Sequence, residues 1–138
     1  MPALFARIAE IGSSAIPGSD HCGVSIERRR SAVTVAGSSP VAAEVDAIQN
    51  DVGEGPGLAA MRADHLYEVA DVATDPRWPR FGARIAAETP VRSLLTYRLF
   101  VADRTVGALS VFAERAHAFD RRSHEHASLL AAHARSPW

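Results

Sequence analysis

Positions 93–101 read SLLTYRLFV and positions 105–113 read TVGALSVFA, with the three residues ADR between them. Both runs are rich in β-branched, aromatic and other apolar residues, and a short polar connection between such runs is typical of a β-hairpin. A second hairpin is predicted upstream, where apolar and polar residues alternate over 22–27 and the run VTVA follows at 33–36. Two hairpins in one chain favour a mostly antiparallel sheet.

Helical patterns flank these strands. Apolar residues with helical spacing predict an amphipathic first helix that ends at Gly12, and Ser39-Pro40 predicts the start of a second one. Short helices are expected over 58–63 and 82–88, a brief strand over 66–69, and a last helix capped by Asp120. The resulting order, α-β-β-α-α-β-α-β-β-α, predicts an α+β fold with helices against the sheet.

Composition narrows the function classes. The chain has 138 residues, 47% of them hydrophobic and 22% charged, which is the size and usage of one globular domain. Its net charge of −1 argues against a general nucleic-acid binder, and no apolar run is long enough to span a bilayer. All fifteen basic residues are arginine, so chemistry that needs a lysine amine is excluded.

Cysteine and histidine offer few catalytic arrangements. The single cysteine, Cys22, cannot form an internal disulfide, which is consistent with a reducing cytoplasm. Cys22 lies on the apolar side of a predicted strand, so we expect it to pack in the core rather than act as a nucleophile. The six histidines lack any recognised metal-binding spacing, and we expect no metal site.

Two loops carry the candidate site. The run DVGEGPG at 51–57 either exposes backbone N–H groups to an anion or is a tight turn between helices. The run DPRWPRF at 75–81 interleaves aromatic residues with arginines, which suits a pocket for a planar ligand. The alternative is that Trp78 and Phe81 only pin this loop to the core.

These loops, in this order, resemble a GAF domain. The resemblance rests on QNDVGEGPGL at 49–58, VADVATDPRWP at 69–79, VRSLL at 91–95, VGALSV at 106–111 and AFD at 118–120. The pattern is similar to the GAF module of actinobacterial regulators in which an RNA-binding ANTAR domain follows. No ANTAR domain or other output domain is recognised within positions 1–138, which we interpret as one GAF domain.

The resemblance implies a central antiparallel sheet of five or six strands. Terminal helices would cover one face and form a dimer interface, and short helices and loops would frame a pocket on the other. GAF domains bind cyclic nucleotides, haem, bilins or small metabolites, but the lysine-containing signature of the cyclic-nucleotide binders is absent here. The GAF enzyme that reduces free methionine sulfoxide uses several cysteines, whereas this chain has one.

From these patterns we expect a non-catalytic sensory and dimerisation domain of a cytoplasmic signalling or antitermination regulator, not an enzyme. The alternatives are a small cysteine-dependent redox enzyme and a ligand-free structural dimerisation domain. The sequence names no cofactor, and we expect a homodimer that by itself binds neither nucleic acid nor membranes. The expected pocket residues are Trp78, Phe81, Arg77, Arg80, Arg92, Tyr97, Gly55 and Gly57. The expected dimer-interface residues are Leu4, Phe5, Ile8, Ile11, Leu129 and Leu130.

Overall fold

The computed structural model describes residues 2–100 and 105–134, and within them it forms a five-stranded antiparallel sheet in the order β2-β1-β5-β4-β3. The elements are α1 (Pro2–Ala15), β1 (His21–Arg28), β2 (Ser31–Gly37), α2 (Val41–Val52), α3 (Pro56–Arg62), β3 (Leu66–Val69), α4 (Pro79–Glu88), β4 (Ser93–Phe100), β5 (Val106–Ala113) and α5 (Arg121–Ala134). The predicted α+β fold and its element order are confirmed.

The two hairpins meet in the middle of the sheet. β4 pairs with β5 from Ser93 opposite Ala113 to Phe100 opposite Val106, whereas the connecting residues 102–104 lie outside the described residues. β5 pairs on its other side with β1, which in turn carries β2 at the edge. The register of β1 against β2 shifts between Val24 and Ser25, so β2 contains one extra residue at this bulge.

Alternation along the strands separates two hydrophobic layers. On one face, side chains of β1, β4 and β5 such as Val24, Leu95 and Val111 pack against α1 and α5. On the other face, Leu94 and Phe112 pack against α2 and α4, and Ala108 packs against α3. The terminal helices therefore cover one face and the shorter inner helices the other, as the resemblance implied.

Two helix boundaries differ from the predicted ones by three residues each. α1 continues through Gly12 to Ala15, because this glycine lets the helix approach β1 closely: a Cβ at position 12 would lie 2.3 Å from the Cys22 Sγ. α4 begins at Pro79 rather than Gly82, with proline in the first turn where its missing N–H costs nothing.

The apolar surplus expected on the terminal helices is smaller than predicted. Phe5, Ile8 and Leu130 are buried in the core of the chain itself, so they do not present a free surface. Leu4 is partly buried against the same core. Ile11 and Leu129 remain 43% and 70% exposed, and they are the members of the predicted interface that face outward.

The helices are short. α1 and α5 have 14 residues each, which at 1.5 Å per residue is about 21 Å. A membrane-spanning helix needs about 20 apolar residues. Across the residues described, no helix has the length and apolarity to cross a membrane.

Candidate ligand site

The glycine-rich loop at 53–57 is held by a side chain of the preceding helix. The Gln49 Oε1 accepts the backbone N–H of Gly57 at 2.8 Å and that of Leu58 at 3.2 Å. Gly55 has a φ of 151°, and a Cβ there would lie 2.4 Å from the Gln49 Oε1. The N–H groups that the sequence offered to an anion are therefore occupied by the chain's own amide.

A buried carboxylate anchors Gln49 in turn. The Ser25 and Thr34 hydroxyls each donate to the Asp46 Oδ2 at 2.5 Å, and the Gln49 Nε2 donates to the Asp46 Oδ1 at 3.2 Å. Burial raises the pKa of Asp46 above its usual range, although these hydrogen bonds act in the opposite direction. We call these four residues the Asp46 network; it ties the β1–β2 hairpin to α2.

Glu54 in the same loop caps the neighbouring helix. Its carboxylate accepts the backbone N–H groups of Arg80 at 2.9 Å and Phe81 at 3.2 Å, at the start of α4. The Arg80 guanidinium lies 3.7 Å from the same carboxylate, and its side chain is largely exposed. Glu54 therefore supplies the acceptor that α4 lacks locally, and it joins two loops that are far apart in sequence.

Trp78 lies in a compact aromatic cluster. Its ring meets Tyr67 edge to face with centroids 5.5 Å apart, and the Arg77 guanidinium lies 4.5 Å from the Trp78 ring centroid. Arg77 also bonds both carboxylate oxygens of Asp75, through its Nε at 3.0 Å and an Nη at 2.6 Å. This pairing lowers the pKa of the Asp75 carboxyl. Arg77 thus positions Trp78, and its charge is already neutralised.

A cleft of about 180 Å³ opens between Trp78 and the glycine-rich loop. We call it the Trp78 cleft; its lining residues are Gly53, Glu54, Gly55, Leu58, Ala59, Arg62 and Trp78. Trp78 is half-buried at its edge, whereas Phe81 is 1% exposed and belongs to the core beneath. The structure thus brings the two predicted loop segments together. Of their two aromatic residues, Trp78 lines the cleft and Phe81 packs in the core.

Two predicted pocket residues lie elsewhere. Arg92 donates to the carbonyl oxygens of Thr89 and Val91, so it stabilises the turn that follows α4. Tyr97 lies on the terminal-helix face, and its hydroxyl is 3.2 Å from both the Nδ1 and the carbonyl oxygen of His124. Strand alternation decides this, because Thr96 takes the face toward the inner helices. Placing Tyr97 in the pocket with Trp78 was wrong.

The Asp46 network was missed by the sequence analysis. Asp46 and Gln49 are 7% and 3% exposed, yet both are polar residues on a helix whose apolar positions are Val45 and Ile48. The sequence signal that could have indicated their burial is that Asp46 and Gln49 directly follow the apolar positions Val45 and Ile48. Their partners Ser25 and Thr34 lie on the β1–β2 hairpin. Contacts between residues 12 to 21 positions apart in sequence cannot be inferred from helical spacing.

His21 and His124 each contact a different carboxylate rather than belonging to one cluster. His21 lies 2.7 Å from Glu114 and 2.8 Å from the Ser39 hydroxyl, and His124 lies 2.9 Å from Glu68. In the described part of the chain, no three His, Cys, Asp or Glu side chains converge in a way that could hold a metal ion.

Cys22 is fully buried between α1 and the sheet, and burial raises the pKa of its thiol to about 12. The thiolate is the reactive form, so native Cys22 is expected to be inert. With excess 5,5′-dithiobis(2-nitrobenzoic acid) at pH 8, we expect labelling at least a hundredfold slower in native protein than in denaturant. Comparable rates in the two conditions would contradict this placement.

Solved structures share this architecture. The free methionine-R-sulfoxide reductase of Neisseria meningitidis superposes with a TM-score of 0.70 and 23% identity over 95% of this chain and 73% of that one. The type II enzyme of Thermoplasma acidophilum gives 0.73 and 13% identity over 96% and 89%. The GAF domain of a phosphoenolpyruvate-protein phosphotransferase from Coxiella burnetii gives 0.69 and 17% identity over 96% and 79%. No curated protein matches the chain in sequence.

The expectation that the chain is not an enzyme is wrong, because free methionine-R-sulfoxide reductases are among the proteins that share its fold. Their identities of 13–23% establish a common fold and carry no activity over to this chain. The fold therefore does not separate sensors from enzymes, and the single cysteine was too narrow a criterion for excluding catalysis.

Sequence and structure agree on the family. The matching family description is that of the GAF domain, and the match extends over residues 1–136. The fold also superposes on solved GAF domains from Synechocystis sp. PCC6803 and from Coxiella burnetii with TM-scores of 0.71 and 0.69. The chain belongs to the GAF domain family.

Proposed function

We propose that this chain is a sensory domain that binds a small molecule at the Trp78 cleft and forms a homodimer through α1 and α5. The observation that carries the ligand proposal is the cleft itself, formed where the two loops meet above buried polar groups. A concave site with an aromatic wall and a few polar groups is the usual form of a small-molecule site.

The lining of the cleft favours a small planar or anionic molecule. Leu58, Ala59 and the Trp78 ring supply apolar surface, and Arg62 supplies a guanidinium that also lies 3.6 Å from the Glu27 carboxylate and donates to the Arg30 carbonyl oxygen. At about 180 Å³ the cleft is below the usual range of about 300–1,000 Å³ for drug-sized ligands. We therefore propose a compact metabolite, held by stacking on the indole and by a charge-assisted hydrogen bond from Arg62.

Non-denaturing mass spectrometry of freshly purified protein tests this assignment. We expect a bound species of defined mass in the wild type and its loss in Trp78→Ala. Tyr67→Ala is the matched control, because it removes the ring that contacts Trp78 but does not line the cleft. Ligand-free wild type in every preparation, or equal retention by Trp78→Ala, would contradict the proposal.

The dimer proposal is supported by an apolar groove of about 490 Å³ between α1 and α5, which is lined in part by Ile11, Ile16 and Leu129. Exposed apolar patches of this kind tend to mark interfaces, and two-fold dimers are the commonest assembly. Leu129→Glu should shift the protein from dimer to monomer in sedimentation at micromolar concentration. Arg122→Glu is the control on the same helix, outside the groove. A monomeric wild type would refute the dimer.

In this proposal the domain serves a cytoplasmic signalling or antitermination regulator. Ligand binding above the sheet would bias the packing of α1 and α5 below it, and these helices would pass the change to an output domain. A ligand can shift such an equilibrium only by its differential affinity for the two packings. The terminal helices are suited to this role because both contact the central sheet and each other.

A further inference from the structure

Three polar side chains meet at one end of the sheet, where β2, β1 and β5 lie side by side. His21 begins β1, Ser39 follows the end of β2, and Glu114 follows the end of β5. The antiparallel pairing brings them together, because the first residues of β1 lie opposite the last residues of both neighbouring strands. We call these three residues the Ser39 triad.

The His21 ring bridges the other two members of the triad. Its Nε2 lies 2.7 Å from the Glu114 Oε2, and its Nδ1 lies 2.8 Å from the Ser39 Oγ. An ionised carboxylate can only accept, so the neutral ring carries its proton on Nε2, and Nδ1 accepts the Ser39 hydroxyl. A hydroxyl, a base and a carboxylate that orients the base, each about 2.6–3.2 Å from the next, form the arrangement of an activated nucleophile.

Backbone hydrogen bonds fix both flanks of the Ser39 triad. The Ser38 N–H donates to the Cys22 carbonyl at 2.9 Å, and the Ser38 hydroxyl accepts the Cys22 N–H at 3.0 Å. The Asp20 carboxylate accepts the Glu114 N–H at 2.8 Å. The two outer members of the triad are therefore held against the start of β1, and support of this kind keeps a catalytic geometry in place.

The Ser39 triad is accessible from solvent and adjoins the start of α2. The side chains of His21 and Glu114 are 17% and 50% exposed, and Ser39 is partly exposed. The first hydrogen bond of α2 runs from the Glu44 N–H to the Pro40 carbonyl at 3.1 Å, so the two preceding N–H groups have no acceptor within the helix. These groups would stabilise negative charge that develops on an oxygen beside Ser39.

A second chain of hydroxyl, imidazole and carboxylate lacks this accessibility. It runs from Tyr97 through His124 to Glu68, and the Tyr97 hydroxyl is shared between the His124 Nδ1 and carbonyl oxygen. Tyr97 is 8% exposed, and burial raises the pKa of its hydroxyl. Ser39 is therefore the hydroxyl of the two that a substrate can reach.

We propose that the Ser39 triad hydrolyses small carboxylic esters. The Ser39 Oγ bonds to the carbonyl carbon while the His21 Nδ1 takes the hydroxyl proton. The bond from this carbon to the alcohol oxygen then breaks, and Nδ1 gives the proton to the leaving oxygen, so that Ser39 is acylated. Water repeats the sequence: its oxygen bonds to the acyl carbon, its proton passes through Nδ1 to the Ser39 Oγ, and the carboxylic acid is released. This activity does not depend on the Trp78 cleft.

Hydrolysis of p-nitrophenyl acetate by the full chain tests the proposal. We expect a rate at least tenfold above that of N-acetylhistidine at the same concentration of imidazole groups, and a loss of at least tenfold in Ser39→Ala and in His21→Gln. Ser14→Ala and His126→Gln are the matched controls, because both residues are exposed on the terminal helices, and they should keep the wild-type rate. A wild type no faster than N-acetylhistidine, or an equal rate in Ser39→Ala, would overturn the proposal.

Covalent labelling identifies the nucleophile without relying on a variant that folds. Phenylmethanesulfonyl fluoride should form one sulfonate ester on the wild type, with loss of fluoride and the hydroxyl proton. Mass spectrometry after proteolysis should place this group on Ser39, and His21→Gln should slow the labelling at least tenfold. An unlabelled wild type, or a label at another residue, would contradict the assignment.

Glu114 acts through His21 and is a positioning residue. Glu114→Gln should lower kcat for p-nitrophenyl acetate at least tenfold with KM unchanged, and Glu114→Asp should retain part of the activity. A purely structural ion pair at this exposed position would change stability little and would leave kcat as it is. A wild-type kcat in Glu114→Gln would therefore refute the positioning role.

Discussion

Asp46→Ala is expected to lower the free energy of unfolding by about 3 kcal/mol, because hydrogen bonds to a buried charged group contribute about 1.5–3 kcal/mol each and the partners are left unpaired. Ser25, Thr34 and Gln49 would all lose their acceptor. Gln49 would also lose the contact that orients its Oε1 toward the Gly57 and Leu58 N–H groups. The glycine-rich loop should therefore loosen together with the hairpin.

Urea unfolding measures the change, and amide hydrogen exchange at Gly57 and Leu58 reports the loop. Ala47→Gly on the same helix is a useful control, because it lowers helix propensity by about 1 kcal/mol without touching the network. An Asp46→Ala variant as stable as the wild type would show that the Asp46 network makes no net contribution to the free energy of unfolding.

The same carboxylate predicts a pH dependence of stability. Since burial raises the folded-state pKa of Asp46 above its ordinary 3.8, the folded chain holds this proton more tightly than the unfolded chain. The resulting stabilisation is complete below the ordinary pKa and is lost as pH rises through the folded pKa. Relative to Asp46→Asn, the wild type should therefore lose stability as the pH rises above about 4, in urea titrations at successive pH values.

Phe81→Ala should cost about 3–5 kcal/mol, the usual range for removing a buried aromatic ring. Phe81 is 1% exposed and packs with α2, α4 and the sheet in one layer. Trp78→Ala provides the comparison, because Trp78 is half-buried at the rim of the cleft and should cost clearly less. Thermal unfolding measures the loss of stability in both variants. Equal losses would show that Trp78 is a core residue rather than a wall of the cleft.

The strands and the last helix could be predicted from local patterns. The β4–β5 hairpin begins and ends within a residue or so of its predicted bounds, because alternation and β-branched content act over a few residues. The predicted cap of α5 also holds, since the Asp120 Oδ1 accepts the Ser123 N–H at 3.1 Å. These features depend on residues that are close in sequence, so they can be predicted from a single sequence.

The candidate site depends on contacts that are distant in sequence, and prediction failed there. Glu54 caps a helix 26 residues further on, which no local rule for caps anticipates. The face occupied by Tyr97 follows from the strand register, which the sequence left open.

The bulge opposite Val24 and Ser25 bears on how the chain avoids aggregation. β2 is an outer strand whose side chains are uncharged, and Val33 and Val35 are 40% and 38% exposed, a pattern that invites a strand from another molecule. The extra residue interrupts the regular spacing of the free N–H and C=O groups of β2. An incoming strand therefore cannot form hydrogen bonds along the whole edge. Arg29 and Arg30, both at positive φ in the adjoining turn, place like charges at one end of that edge. Amyloid-type stacking is thereby opposed by both backbone geometry and charge.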